Sequence, residues 1–309
     1  MSTLTWAEAI VIGAMQGVAE LFPVSSLGHS ILLPAVVGGS WAADLDVSAP
    51  RSPYLAFVVG LHVTTALALI VHFRADWVRI VRGLVTSVAR REVRDPDQRL
   101  AWLLVLATVP VGLAGLALDR VFRTYLALPV PTALFLVLNG AVLLVVEHLR
   151  RRPAPAPATT AAGGGAEPGT VLLATEVASD HRIARLRVRD VVTVGAAQIA
   201  ALAPGISRSG SAMTAGLLKG LPHVDAARLS FLLATPVILA AGVLKLGDLA
   251  GPLGDGIRPQ ILVGSLLSGL GAYLSVRFLS RWFETRSLRP FGIYCVVAGL
   301  GCLLWFTVR

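Results

Sequence analysis

Six stretches of this chain run for 16 to 23 residues without a single Asp, Glu, Lys or Arg: 52–73, 100–118, 124–146, 229–244, 259–276 and 290–308. An α-helix needs roughly 20 apolar residues to cross the hydrocarbon core of a bilayer. The pattern therefore predicts six crossings. A mean hydropathy of +0.74, with 55% hydrophobic and only 15% charged residues, lies outside the soluble globular range. Trp77, Trp102, Trp282 and Trp305 fall near the ends of these stretches, where an amphipathic ring prefers the headgroup layer.

The charges sort between the spans. The net charge of +9 comes almost wholly from arginine, since lysine occurs only at Lys219 and Lys245. Arginines crowd into 74–99, 149–189 and 277–289, whereas 37–51, 119–123 and 245–258 hold few. Positive loops stay in the cytoplasm, so one orientation satisfies all six crossings and the basic character carries no nucleic-acid reading. No basic segment precedes the first apolar stretch, so a cleaved secretory signal is not expected. Cys295 and Cys302, seven apart in an apolar run without a histidine companion, read as small core residues.

Two further apolar regions do not fit the spanning template. Residues 5–37 are interrupted by Glu20, Pro23, Gly28 and Pro34, and 190–220 by Pro204, Gly205, Arg208 and Gly210. Each reads as two half-helices joined by an irregular turn, with Thr5 and Glu8 as a capping box at the start of the first. Irregular backbone at membrane depth survives only inside protein or beside a water-filled cavity, which predicts two re-entrant hairpins. Each hairpin precedes three crossings, so residues 1–148 and 189–309 form similar units, the second inverted relative to the first. The expected fold is an all-α polytopic integral membrane protein, one membrane domain over 1–309, built as an inverted-topology repeat. A linker at 149–188, rich in Pro, Ala and Gly over 151–170 and read as disordered, joins the units. Ser25-Ser26-Leu27-Gly28 and Ser207-Arg208-Ser209-Gly210 share an SxxG pattern, each with a proline and a glutamine (Gln16 or Gln198) upstream. Inverted repeats meet near the midplane, so the two turns are expected to face each other.

The chemistry-bearing residues concentrate in those turns. Gln16 and Glu20, four apart, share a helix face, and a carboxylate at membrane depth is costly and usually functional. The plainer alternative leaves Glu20 at a helix end near the interface. Ser26 and His29 would lie on the first turn of the second half-helix, whose free N–H groups favour an anion. His29 suits proton transfer, although a serine cap and a quietly packed histidine would look the same. Arg208 offers a planar fork matched to phosphate oxygens, against the alternatives of snorkelling or a structural pair with Glu20. Ser25, Ser207 and Ser209 add hydroxyls, and Gly28, Gly205 and Gly210 allow an anion to approach the backbone. A hydroxyl, a base and an arginine between half-helices suit phosphoryl transfer on a lipid phosphate or diphosphate.

"GAMQGVAELFPVSSLGH" at 13–29 and "APGISRSGSAM" at 203–213 resemble the two signature motifs of the undecaprenyl-diphosphatase family, the bacitracin-resistance type. Looser similarity runs through "RLSFLLATPVILAAG" at 228–242 and "FVVGLHVTTALALIVHFRADW" at 57–77. The resemblance implies hydrolysis of undecaprenyl diphosphate to the monophosphate, recycling the carrier lipid for peptidoglycan. It implies a bacterial plasma-membrane protein whose site faces outward. Catalytic roles fall on Ser26, Glu20, His29 and Arg208, and substrate binding on Gln16, Ser25, Gly28, Gly205, Ser207, Ser209 and Gly210. It also implies a divalent cation, magnesium or calcium, with Glu20 as its one clear carboxylate. Gln16 stands where some relatives have glutamate, and a glutamine is no base, which argues against a two-carboxylate mechanism. The expected partners are the bilayer and a polyprenyl diphosphate, a homodimer is compatible, and nucleic acid is not expected. The competing reading is a flippase or transporter of a lipid phosphate or small anion, since broken helices in inverted repeats also build transport sites.

Overall fold

A computed structural model describes residues 4–45, 53–150, 177–244 and 256–308. Helix is the regular structure throughout, and there is no strand among the described residues. The first half contains α1 (Trp6–Ala19), α2 (Ser26–Val37), α3 (Ser40–Asp44), α4 (Pro53–His72), α5 (Arg74–Arg90), α6 (Pro96–Leu126) and α7 (Pro129–Leu149). After a helical segment α8 at 177–184 come α9 (Val188–Ala197), a 3-10 turn Gln198–Leu202, α10 (Arg208–Leu218), α11 (His223–Leu244), α12 (Arg258–Thr285) and α13 (Arg289–Val308). The Pro/Ala/Gly-rich stretch at 151–170 lies outside the described residues, as does most of 245–258.

Five helices are long and apolar enough to cross a membrane: Pro96–Leu118 within α6, α7, His223–Val243 within α11, α12 and α13. The expected span at 52–73 meets the same test only together with α5, to which α4 is bent by 88°. The bend falls at Phe73, immediately before Arg74, Asp76 and Arg79, where the sequence turns from apolar to charged. The expected outer connection at 119–123 is not a loop. Helix α6 continues to Leu126, and the chain turns at Ala127 and Leu128, just before Pro129 opens α7. The C-terminal end of the expected linker is likewise helical: Ser179 and Asp180 of α8 are buried.

Helices α1 and α2, of 14 and 12 residues, span about 21 and 18 Å at 1.5 Å per residue, short of the roughly 30 Å hydrocarbon core. The Thr5–Glu8 capping box is present in both directions. Packing between the halves is reciprocal: α1 lies against α12, and its counterpart α9 lies against α6. Small residues permit the approach. A Cβ on Gly13 would meet the Gly264 carbonyl at 2.5 Å, and one on Gly195 would meet the Ala107 carbonyl at 2.0 Å. Helices α7 and α13 close the arrangement through Gly140 and Gly292.

Arginines at the ends of the apolar stretches also hold helices together. Arg79 pairs with Asp76, Asp97 and Asp180 at 2.6–2.7 Å, and Arg228 with Asp180 at 2.7 Å and Asp76 at 2.9 Å. Arg182 of α8 grips Asp225 at 2.6 Å. These pairs tie α5, α6 and α8 to α11, holding the end of the bundle from which α10 and α11 project.

Candidate active site

Both interrupted turns are built the same way. Ser25 caps α2 and accepts a hydrogen bond from the Gly28 N–H at 3.2 Å; Ser207 caps α10 and accepts from the Gly210 N–H at 3.1 Å. A serine N-cap satisfies one of the free donors of the first helical turn, which is why SxxG recurs. Ser25 holds a positive φ of 69°, a conformation uncommon outside glycine.

The turns face each other. A Cβ on Gly28 would lie 3.0 Å from the Gly205 Cα, and one on Gly210 would lie 3.3 Å from Pro23. The Ser209 hydroxyl donates to the Phe22 carbonyl at 3.1 Å, and Ser207 and Ser209 share a 3.0 Å hydroxyl contact. Asn139, on α7, stitches the pair: its amide donates to the Pro23 carbonyl at 3.0 Å, and its carbonyl accepts from the Ser207 N–H at 3.0 Å. Gly205 has φ +104°, and a side chain there would strike the Thr132 carbonyl at 2.3 Å. Only glycine combines that backbone with that approach.

Glu20, at the C-terminal cap of α1, is the hub. Its Oε2 accepts from the Ser26 hydroxyl and, at 3.0 Å, from the Gln16 amide. Its Oε1 accepts from Arg208 Nη2 at 3.0 Å. The first turn thus supplies a hydroxyl and a carboxylate, and the second supplies the cation that pairs with them. Arg208 Nη1 is buried with no hydrogen-bond partner, a donor aimed at nothing the protein provides. Such a group is costly to leave unmatched and suits an anionic ligand.

Sequence reasoning missed two members of this cluster. His62 of α4 places Nε2 3.3 Å from the Gln16 amide nitrogen and 3.5 Å from Glu20 Oε2, while its Nδ1 donates to the Val58 carbonyl at 2.8 Å. It lies 46 positions from Gln16 in the chain, inside the loosely similar stretch 57–77 but outside both signature motifs. Asn139 is the other, a single amide within an apolar span. His29, by contrast, turns away from Ser26: Nδ1 donates to the Ser25 carbonyl at 2.7 Å, and Nε2 accepts from the Tyr294 hydroxyl at 2.7 Å, with the two rings stacked. Gln198, the counterpart of Gln16 in the second unit, donates to the Gly195 carbonyl at 3.4 Å and takes no part in the cluster.

No group of three or more His, Cys, Asp or Glu side chains converges among the described residues, so a magnesium or calcium ion here would rest on Glu20 together with hydroxyl, water and substrate phosphate oxygens. Both oxygens of Glu20 already face N–H or O–H donors.

Comparison with known proteins places the chain in a family. Residues 9–301 match the family model described as bacitracin resistance protein BacA. The chain belongs to that family. It is 59% identical over 306 residues to a protein of Mycolicibacterium paratuberculosis named undecaprenyl-diphosphatase, covering 99% of each chain. It is 51% identical to undecaprenyl-diphosphatase 1 of Frankia casuarinae over the full length of both, and 38% identical to undecaprenyl-diphosphatase 2 of Chromobacterium violaceum over 96% of this chain and 98% of that one. This BacA-family chain thus has its two interrupted turns inside the matched region, Glu20 and Ser26 in one and Arg208 in the other.

Proposed function

We propose that this chain hydrolyses undecaprenyl diphosphate to undecaprenyl phosphate and inorganic phosphate, returning the carrier lipid to peptidoglycan synthesis, with Ser26 as nucleophile and Glu20 as its base. The observation that carries the reading is the buried contact of Ser26, Glu20 and Arg208 across two turns, with Glu20 and Arg208 188 positions apart in the chain. The Ser26 oxygen attacks the terminal phosphorus while its proton passes to Glu20 Oε2. The new O–P bond forms as the bridging P–O bond breaks, and the lipid monophosphate departs with that bond's electron pair and takes up the proton from Glu20, which is a carboxylate again. Water then attacks the phosphoserine, giving its proton to Glu20, which returns one to the leaving Ser26 oxygen as phosphate is released. Arg208 Nη1 and the first-turn N–H groups of α2 and α10 face the charge that develops on the phosphoryl oxygens. Glu20 manages the proton rather than His29, because Glu20 touches the Ser26 hydroxyl and His29 is engaged by Ser25 and Tyr294. Transport without hydrolysis gives no reason to hold a serine hydroxyl on a carboxylate.

In the bilayer, α4 forms the sixth crossing and α5 leaves the hydrocarbon at the bend. The segments 5–37 and 190–220 enter from opposite faces as re-entrant hairpins, and the site opens to the outer side of a bacterial plasma membrane.

Phosphate release from undecaprenyl diphosphate by the full chain in detergent tests the reaction, since no transmembrane gradient exists there. Turnover is expected; its absence on any polyprenyl diphosphate would overturn the reading. The facing of the turns has its own test. Gly205→Ala combines a positive φ with a clash, and displacing the second turn by an ångström is expected to lower kcat about 100-fold. An unchanged rate would mean that the turns work independently.

A further inference from the structure

We infer that His62 is a positioning residue for the reaction: it fixes the amide of Gln16, and through that amide the carboxylate of Glu20, in the orientation that receives the Ser26 proton. The inference rests on the proposed role of Glu20 as base and adds a component that lies outside both signature motifs.

With His62 neutral, the hydrogen bonds fit one assignment. The Val58 carbonyl can only accept, so His62 Nδ1, 2.8 Å away, carries the hydrogen. In the neutral ring Nε2 is then a lone pair and an acceptor. Facing it at 3.3 Å is the Gln16 amide nitrogen, which also lies 3.0 Å from Glu20 Oε2. An amide nitrogen has two hydrogens; here one goes to His62 and the other to Glu20. Were the Gln16 amide turned over, its carbonyl oxygen would face the carboxylate, which cannot donate to it. The chain therefore runs from the α4 backbone through His62 and Gln16 to Glu20 Oε2, the same oxygen that accepts from Ser26.

This arrangement explains why an uncharged residue occupies position 16. A carboxylate there would repel Glu20 across 3 Å, whereas the amide supplies a donor and no charge. The cost is that an amide has two orientations of nearly equal shape, and something must choose between them. His62 makes that choice because its own ring is fixed by the Val58 carbonyl, as an outer partner fixes a ligating or catalytic group.

The test separates an acceptor from mere bulk. His62→Leu keeps volume without a lone pair; His62→Gln places an amide oxygen within reach of the position now held by Nε2. In the full chain, assayed for phosphate release from undecaprenyl diphosphate, His62→Leu is expected to lower kcat about 10- to 30-fold with KM changed less than about twofold. His62→Gln should stay within about threefold of the starting protein. Gln16→Leu should match His62→Leu, and the double substitution should be no slower than either single one, because both act through one chain of hydrogen bonds. An unchanged kcat in His62→Leu would overturn the inference, and so would equal losses in His62→Leu and His62→Gln, which would assign the effect to the ring itself. Additive losses at positions 16 and 62 would overturn it as well. Loss of phosphate release in the unsubstituted chain would count against the proposed hydrolysis and is read separately from these ratios. Thermal unfolding midpoints of the variants identify any that fail through misfolding, in which case the His62→Gln and Gln16→Leu comparison carries the test.

Discussion

Glu20→Gln is expected to lower kcat for phosphate release by about 10³- to 10⁴-fold, at the upper end of what removing a positioned base costs. The glutamine keeps the shape of the side chain and still offers an oxygen, yet it cannot take the Ser26 proton. KM should move little, since Glu20 acts on the nucleophile and not on the lipid. The substitution also leaves Arg208 without its carboxylate in a site where the partner is only 6% exposed. Breaking a buried pair from one side costs about 3–5 kcal/mol. The unfolding midpoint should therefore fall along with the rate, and a rate loss at an unchanged midpoint would show that Arg208 finds another anion.

Arg208→Lys is the second large effect. The usual view of lysine as a conservative replacement fails where a planar fork serves two anions at once. Here Nη2 donates to Glu20 at 3.0 Å while Nη1 is buried and unmatched. An ammonium on a flexible stem can serve Glu20 or a phosphoryl oxygen, but not both in this geometry. The loss of one preorganised donor to a developing oxyanion is typically about 10²- to 10³-fold in kcat, and Arg208→Lys is expected in that range, with Arg208→Ala lower still. Saturation and pre-steady-state measurements check the split: a change confined to KM would make Arg208 a binding residue only.

The parts of this fold that were legible in the sequence are those where local chemistry and global position agree. Pro23, Gly28, Pro204 and Gly205 break apolar runs, and the polar residues beside them mark where protein must satisfy the backbone. The SxxG repeat marks two related turns, and in both the first serine, Ser25 or Ser207, caps the helix that follows. What escaped was set by long-range packing. His62 and Asn139 sit singly in apolar spans, and a lone polar residue there has no periodicity to declare its partner. The expected connection at 119–123 is helix instead, because a helix needs no apolar residues once it leaves the hydrocarbon, and α6 continues through Asp119, Arg120 and Arg123 to Leu126. His29 shows the converse. Its spacing from Ser26 suggested contact, but the ring stacks on Tyr294 of α13, a residue 265 positions away.

The central claim is that two turns distant in sequence form one phosphoryl-transfer site with Ser26 as its nucleophile. Rapid acid quenching of the full chain during turnover of undecaprenyl diphosphate, followed by mass spectrometry of the peptide containing residues 19–34, tests it most directly. A phosphorylated Ser26 is expected, appearing before phosphate release and absent from Ser26→Ala, which should retain less than about one part in 10³ of the rate. Full turnover in Ser26→Ala, with no phosphoserine at any time, would contradict the account.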